Sequence, residues 1–400
     1  MRTHIRYLVL LLVVMSFVAG CSSATPVATP TPTRTPIPQA TAIPPTPIPT
    51  ATPTPTPTTA PTAEAVSITP FPPDVNPLTG LKVDDPEMLE HLPLVIKISN
   101  SPEVVRPQSG LNSADLVFEH YAEGYAVTRF TGVFYGAYPE RVGSVRSGRL
   151  IDLEIPAMYQ GILAFSGMSG GMKQRLRASD LFPDQVASPD FGVGQPYFYR
   201  VPREGLAFEH TLFTDPQELR SLAAERGIDR RPDFPSLMAF SEAVPAIKES
   251  TPASTIKIDY LSSTCHAQWN YDEELGRWKR STAGQIHKDY LTGEQVTAAN
   301  VIVVFANHIE AGFWEEMIGD ASNWKLSVEI QIWGNGPALV FRDGQMLQGY
   351  WRRENREDML TFWDGEGNPL PLKPGNSWFQ LVTLDAAGEE YEPGKFRFTP

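Results

Sequence analysis

ADLVFEHYAEGYAVTRFTGVFYG, residues 114–136, decides the fold class. Two runs rich in Val, Phe and Tyr, 114–123 and 126–136, flank the turn signal Gly124-Tyr125. The stretch therefore reads as two strands joined tightly into a hairpin. Successive strand residues project from opposite faces. Glu119 and His120 consequently cannot act together, although the same Phe-Glu-His triplet recurs at 208–210.

Upstream, LPLVIKISN (92–100) reads as a short strand ending in a turn with Pro102. Downstream, LIDLEIPAMYQGILAF (150–165) mixes helical spacing with Pro156 in a first turn, and SGMSGGMKQRLRAS (166–179) runs from a Gly/Ser loop into a helix. DPQELRSLAAERG (215–227) is the clearest helix. Asp215 is its N-cap, Pro216 sits at N1, Glu218 at N3, and Gly227 stops it. The Pro-rich stretch after residue 230 reads as a connection. Beyond it, successive strands are predicted with hairpin chemistry at Asn335-Gly336, Asp343-Gly344, Asp364–Gly367 and Pro374-Gly375. The expected fold class is α+β, with a mixed α/β N-terminal domain and a β-rich meander at the C-terminus.

The chain opens MRTHIRYLVLLLVVMSFVAGCSS. A basic start, an apolar run of about a dozen residues and a small-residue ending form a secretory signal, too short for a permanent span. Its end, Val18-Ala19-Gly20-Cys21, resembles a bacterial lipobox, which implies cleavage before Cys21 and acylation of its thiol. Residues 24–73 then carry sixteen of the 38 prolines amid Thr and Ala. Such a run cannot bury a core. It reads as a disordered, extended tether reaching on the order of 100 Å. Cys265 is the other cysteine. With Cys21 acylated, no intramolecular disulfide forms, and Cys265 is expected to be buried and inert.

The formal net charge is −13; three basic and two acidic residues precede residue 76, leaving −14 over 76–400. That balance excludes nucleic acid or anionic lipid as a general partner of the folded part. Against it stands PERVGSVRSGR (139–149), where Arg141, Arg146 and Arg149 crowd together between a predicted strand and a predicted helix. A Gly/Ser loop entering a helix exposes N–H groups to an anion, and guanidinium forks suit carboxylate or phosphate. The other reading is an internal ion-pair network with Asp115, Glu119, Glu123 or Asp152. Neither Glu-His pair has zinc-protease spacing, so no metal site is expected, and no dinucleotide or phosphate-loop motif calls for a cofactor. FSGMSGGM (165–172) departs from the G-x-S-x-G elbow. The tryptophans of 314–378 are more readily core than a carbohydrate platform, with Trp351 as the best exposed candidate.

NPLTGL (76–81), RPQSGLNSADLVFE (106–119), AVTRF (126–130), RVGSVRSGR (141–149), EHTLFT (209–214), NVIVVF (300–305), GYWRR (349–353) and SWFQLV (377–382) together resemble the YerB-like lipoproteins, a family of domains of unknown function (DUF3048). The resemblance implies a two-domain α+β protein tethered outside the cytoplasmic membrane and supplies no reaction. The expected organisation is a signal peptide (1–20), acylated Cys21 with its linker (21–75), an N-terminal domain (76–235), a connection (236–254) and a β-rich C-terminal domain (255–390). Matched positions forming the candidate ligand site include Arg106, Asp115, Glu119, Arg129, Arg146, Arg149 and His210. The expected function is an envelope lipoprotein gripping an anionic or polar cell-wall peptide or glycan. The alternatives are a cell-wall hydrolase or transferase using Glu119 or Asp115 with His210, and a structural module that meets an envelope protein. The bilayer is a partner through Cys21.

Overall fold

A computed structural model describes residues 71–247, 250–317 and 320–400. The signal peptide, Cys21 and nearly all of the tether lie outside them. The expected hairpin forms from strands Leu116–Ala122 and Val127–Phe134, paired antiparallel from Leu116↔Val133 to Ala122↔Val127. It sits inside a twelve-stranded sheet to which both halves of the chain contribute. Leu94–Ser99 pairs antiparallel on the outer side of Val127–Phe134, followed by Ile162–Ala164 and Val186–Ala187. On the other side, Ser377–Thr383 lies parallel both to Leu116–Ala122 and to the long strand Asn300–Glu316. Gly334–Arg342 and Gln345–Arg353 complete that flank.

A seven-stranded sheet built from Thr255–Ile258, Ala267–Asp272, Arg277–Thr282, Lys395–Thr399 and shorter pieces shares one apolar cluster with the large sheet. Trp269 meets Trp378 there with ring centroids 5.1 Å apart. A second cluster covers the opposite face, with Leu116, Phe118, Ile302 and Phe379 against Ile155, Met158 and Tyr159. The alternation at 116–118 thus sorts side chains onto two buried faces. That double cover explains why these strands read as almost continuous apolar runs.

Several expectations change. The C-terminal strands do not form one meander. They divide between two sheets, and Thr255–Ile258 pairs parallel with Lys395–Thr399. Turn chemistry reports antiparallel neighbours, whereas parallel neighbours come from distant sequence. Asn335-Gly336 makes no turn but lies within Gly334–Arg342, and Asp343-Gly344, both at positive φ, does turn the chain. Residues 150–165 split into a 3₁₀ turn (Leu150–Leu153), the single-turn helix α1 (Ile155–Tyr159) and strand Ile162–Ala164. The helices α2 (Gly170–Arg177) and α3 (Pro216–Glu225) form as read, and Asp215 caps α3 by accepting from the Gln217 and Glu218 amides.

Trp351 is buried rather than exposed, and its Nε1 donates to the Phe305 carbonyl at 2.8 Å. Its indole lies against Gly336, where an added Cβ would sit 2.6 Å from that nitrogen. Gly336→Ala is expected to cost about 1–3 kcal/mol by overpacking, seen as a lower urea midpoint with an unchanged slope. An unchanged midpoint would remove the packing role. Cys265 is a buried free thiol whose Sγ accepts from the Thr128 amide at 3.3 Å.

Candidate ligand site

The 139–149 stretch does not form an open loop at a helix start. Its amides are consumed one after another. Gly143 donates to Ser109 O, Val145 to Leu212 O, Arg146 to Lys97 O and Gly148 to Gly167 O. The Arg149 amide donates to the Asp152 carboxylate at 2.6 Å. The segment is extended backbone held between Leu94–Ser99 and the strand Leu212–Thr214. α1 is too short to supply a dipole site. Gly143 is required by close approach, since a Cβ there would lie 2.6 Å from Phe213 Cδ1.

Two of the arginines face inward. Arg149 and Arg129 both bind Glu123 Oε1, at 2.8 and 2.6 Å, and Arg149 Nε lies 3.1 Å from Glu315. Glu315 comes from the outer half of the long strand, and its other oxygen accepts from the Glu123 amide. Burial raises Glu123, yet Arg129 and Arg149 outweigh it and hold the carboxyl below its ordinary value. Burial pulls Arg129 down to about 10 and raises Glu315. Beside them Lys97, fully buried, reaches Asp152 at 2.8 Å, His120 Nε2 at 2.6 Å and Thr131 at 3.1 Å. Burial lowers its ammonium to about 8.

Glu119 and His120 do point apart. His120 joins Lys97, while Glu119 crosses to the second sheet and pairs with Arg280 at 2.8 Å, also accepting from Thr128, Asn100 and Gln380. Asp115 binds neither: its oxygens accept from Asn76 Nδ2 and the Tyr135 and Gly136 amides. Arg106 donates to the carbonyls of Asn100 and Thr264. Asp115, Glu119, Arg129 and Arg149 are therefore engaged from within, the two arginines sharing Glu123.

Burial raises Asp115 from 3.8 to about 6 against its three hydrogen bonds. A carboxyl with a raised folded pKa contributes stability that is complete below 3.8 and lost as the pH rises through about 6. Relative to Asp115→Asn, the wild type is expected to lose stability between pH 4 and 6, with an amplitude on the order of 3 kcal/mol. Parallel pH profiles in urea denaturation of the two proteins would show burial not to govern this group.

An open site lies next to the arginine cluster. A cavity of about 110 Å³ is lined by the apolar Val105, Pro107, Val201 and Leu206 together with the polar Arg141, Ser144, Arg203 and His210. Ser144 Oγ and His210 Nδ1 are buried without hydrogen-bond partners, as is Arg141 Nε. The Arg141 guanidinium lies over two rings, 5.5 Å from Phe213 and 5.0 Å from Tyr290, and makes no ion pair among the described residues. No acidic side chain lines the cavity. His210 Nε2 is 3.6 Å from the exposed Glu209, to which Arg146 also reaches at 3.4 Å. Burial, with Arg146 beside it, lowers the His210 pKa. Among the described residues, no group of three or more His, Cys, Asp or Glu could hold a metal ion.

Of the candidate residues, His210 lines this cavity and Arg146 stands beside it. Ser144, Arg203 and Tyr290 are not among the candidates read from the sequence. Arg141 belongs to the stretch that drew attention, but nothing local distinguishes it from Arg149, whose partner Glu315 is 166 positions away. Tyr290 enters from a turn after the strand Gln285–Ile286, and its amide donates to Gln108 O at 2.7 Å.

Similarity to known proteins agrees with this architecture. Residues 78–229 match the model of the protein of unknown function (DUF3048) N-terminal domain, and 256–379 match that of its C-terminal domain. A Bacillus subtilis (strain 168) protein named "Putative lipoprotein YerB" is 30% identical over 315 residues, covering 78% of this chain and 87% of that protein. The crystal structure of the YerB protein from Bacillus subtilis superimposes with a TM-score of 0.64 at 26% identity, over 78% of this chain and 97% of that one. With both family segments matched and the relative covered nearly end to end, the chain belongs to the YerB-like DUF3048 family.

Proposed function

We propose that this chain is a membrane-anchored lipoprotein, held outside the cytoplasm by acylated Cys21, whose folded part binds an anionic or polar envelope ligand in the Arg141 cavity. The carrying observation is the composition of that cavity. It has two arginines and no acid, and it holds two buried polar atoms, Ser144 Oγ and His210 Nδ1, that the protein leaves unpaired. A buried polar group without a partner costs about 1–3 kcal/mol, which a ligand oxygen would relieve. In a unit carrying −14, an acid-free pocket gives an anion a local attraction that the surface does not. The relative's name supports the anchor, and the Pro/Thr-rich run before residue 74 supports a reach into wall material. Of the seven candidate residues the proposal retains His210, with Arg146 beside it; the others hold the frame. Glu119 and Asp115 are bound up apart from His210, which separates the acids of the hydrolase alternative from its histidine.

The test is a thermal-shift screen of the full chain, carrying Cys21→Ser to keep it unacylated, against muropeptides, wall glycans and phosphate-bearing wall polymers. At least one is expected to raise the midpoint in a concentration-dependent way. No shift with any of them would contradict the proposal.

A further inference from the structure

The cavity's size and its mixed apolar and polar lining specify more than charge. A dry cavity of roughly 150 Å³ accommodates benzene, so about 110 Å³ seats a small terminal group while the rest of a larger ligand stays outside. The polar lining offers the Arg141 guanidinium, held 5.5 and 5.0 Å from the Phe213 and Tyr290 rings with its Nε unpartnered, and guanidinium N–H groups suit an oxygen pair. Ser144 Oγ and His210 Nδ1 can supply further hydrogen bonds. The apolar lining of Val105, Pro107, Val201 and Leu206 has nothing to offer a phosphate oxygen. A tetrahedral oxyanion alone would leave that lining wet, whereas a carboxylate on a short alkyl group satisfies both kinds of residue.

Resting on the ligand-binding reading above, we infer that the site takes a terminal carboxylate carrying a small aliphatic group, of the size of alanine. Such a group occurs at the end of a peptide or as a free small acid. The Arg141 fork holds the two oxygens. Ser144 and His210 hydrogen-bond them from the side, and the methyl-sized substituent covers the valines and Leu206. The protonated imidazole donates from both nitrogens. Because the His210 pKa lies below its ordinary value, affinity is expected to rise as the pH falls below about 6.5. Glu209 and Arg146, 3.4 Å from each other, act on His210, as do Glu123 and Arg129.

Isothermal titration of the full chain with Cys21→Ser tests this with five probes: N-acetyl-alanyl-alanine, its C-terminal amide, N-acetyl-alanyl-tryptophan, propionate and inorganic phosphate. The acetylated dipeptide is expected to bind, the amide at least tenfold more weakly, and the tryptophan-terminated peptide not measurably. Propionate binding as tightly as the dipeptide assigns the site to free acids; weaker binding assigns it to peptide ends. Arg141→Lys, which keeps the charge and loses the fork, should weaken the dipeptide about tenfold while the thermal midpoint stays in place. Equal affinity for acid and amide, for alanine and tryptophan ends, or for phosphate and the dipeptide would overturn the carboxylate assignment. If phosphate or a wall glycan binds and no peptide or acid does, the assignment falls and the broader ligand-binding proposal stands. If no probe or wall fragment binds, both fall.

Discussion

Replacing Arg280 with alanine is expected to destabilise the protein by about 3–5 kcal/mol, a large share of the roughly 5–15 kcal/mol of a typical fold. Arg280 is fully buried between the two sheets, 2.8 Å from Glu119 Oε2. Its guanidinium stacks over Phe130, Trp269 and Trp378 at 5.4, 5.1 and 4.7 Å. Its Nε donates to His287 Nδ1 at 3.0 Å, and His287 Nε2 lies 2.7 Å from Gln108 Oε1. Burial first, then Arg280 and Arg106, hold His287 well below its ordinary pKa, so the ring is neutral and accepts. Truncation leaves the buried Glu119 carboxylate without its cationic partner and opens a void among three aromatic rings. A pair of changes, Glu119→Leu with Arg280→Met, should recover much of the loss, because it removes both charges together. Urea denaturation of the three proteins measures this. A loss below about 1 kcal/mol in Arg280→Ala would show that the ion pair does not join the sheets.

Arg141→Ala should behave in the opposite way. It forms no ion pair among the described residues, and its contacts with Phe213 and Tyr290 are worth about 0.5–1 kcal/mol each at a partly exposed site. Stability should fall by no more than about 2 kcal/mol from those two contacts. Ligand affinity should fall about ten- to a hundredfold, the equivalent of one charge-assisted hydrogen-bonded contact. Arg129→Ala and Arg149→Ala, whose partners Glu123 and Glu315 are buried, should lose stability first. The three arginine variants thus separate an anion site from an internal network. Equal binding by wild type and Arg141→Ala would place the ligand elsewhere.

The hairpin at 114–136 was legible because its pattern and turn are local, and α3 was legible because a cap, a first-turn proline and a stop glycine lie within thirteen residues. The opposed directions of Glu119 and His120 followed from strand geometry alone. The partners did not. Glu119 meets Arg280 across 161 positions and Gln380 across 261. Asn335-Gly336 has the composition of a turn, but the glycine is there to let Trp351 approach. The crowding of Arg141, Arg146 and Arg149 is visible in the sequence. Which guanidinium turns inward depends on where the Asn300–Glu316 strand delivers Glu315. The cavity drew on residues from four separate segments, so neither its apolar lining nor the unpaired Ser144 had a local signal.

The most direct measurement is an experimental structure of the full chain, with Cys21→Ser, crystallised with the tightest ligand from the screen. The account predicts density for its anionic group within hydrogen-bond distance of Arg141, with Ser144 and His210 as further partners. Glu123 would remain paired to Arg129 and Arg149. A ligand seated anywhere else, or one that displaces Glu123 to reach those two arginines, would contradict it.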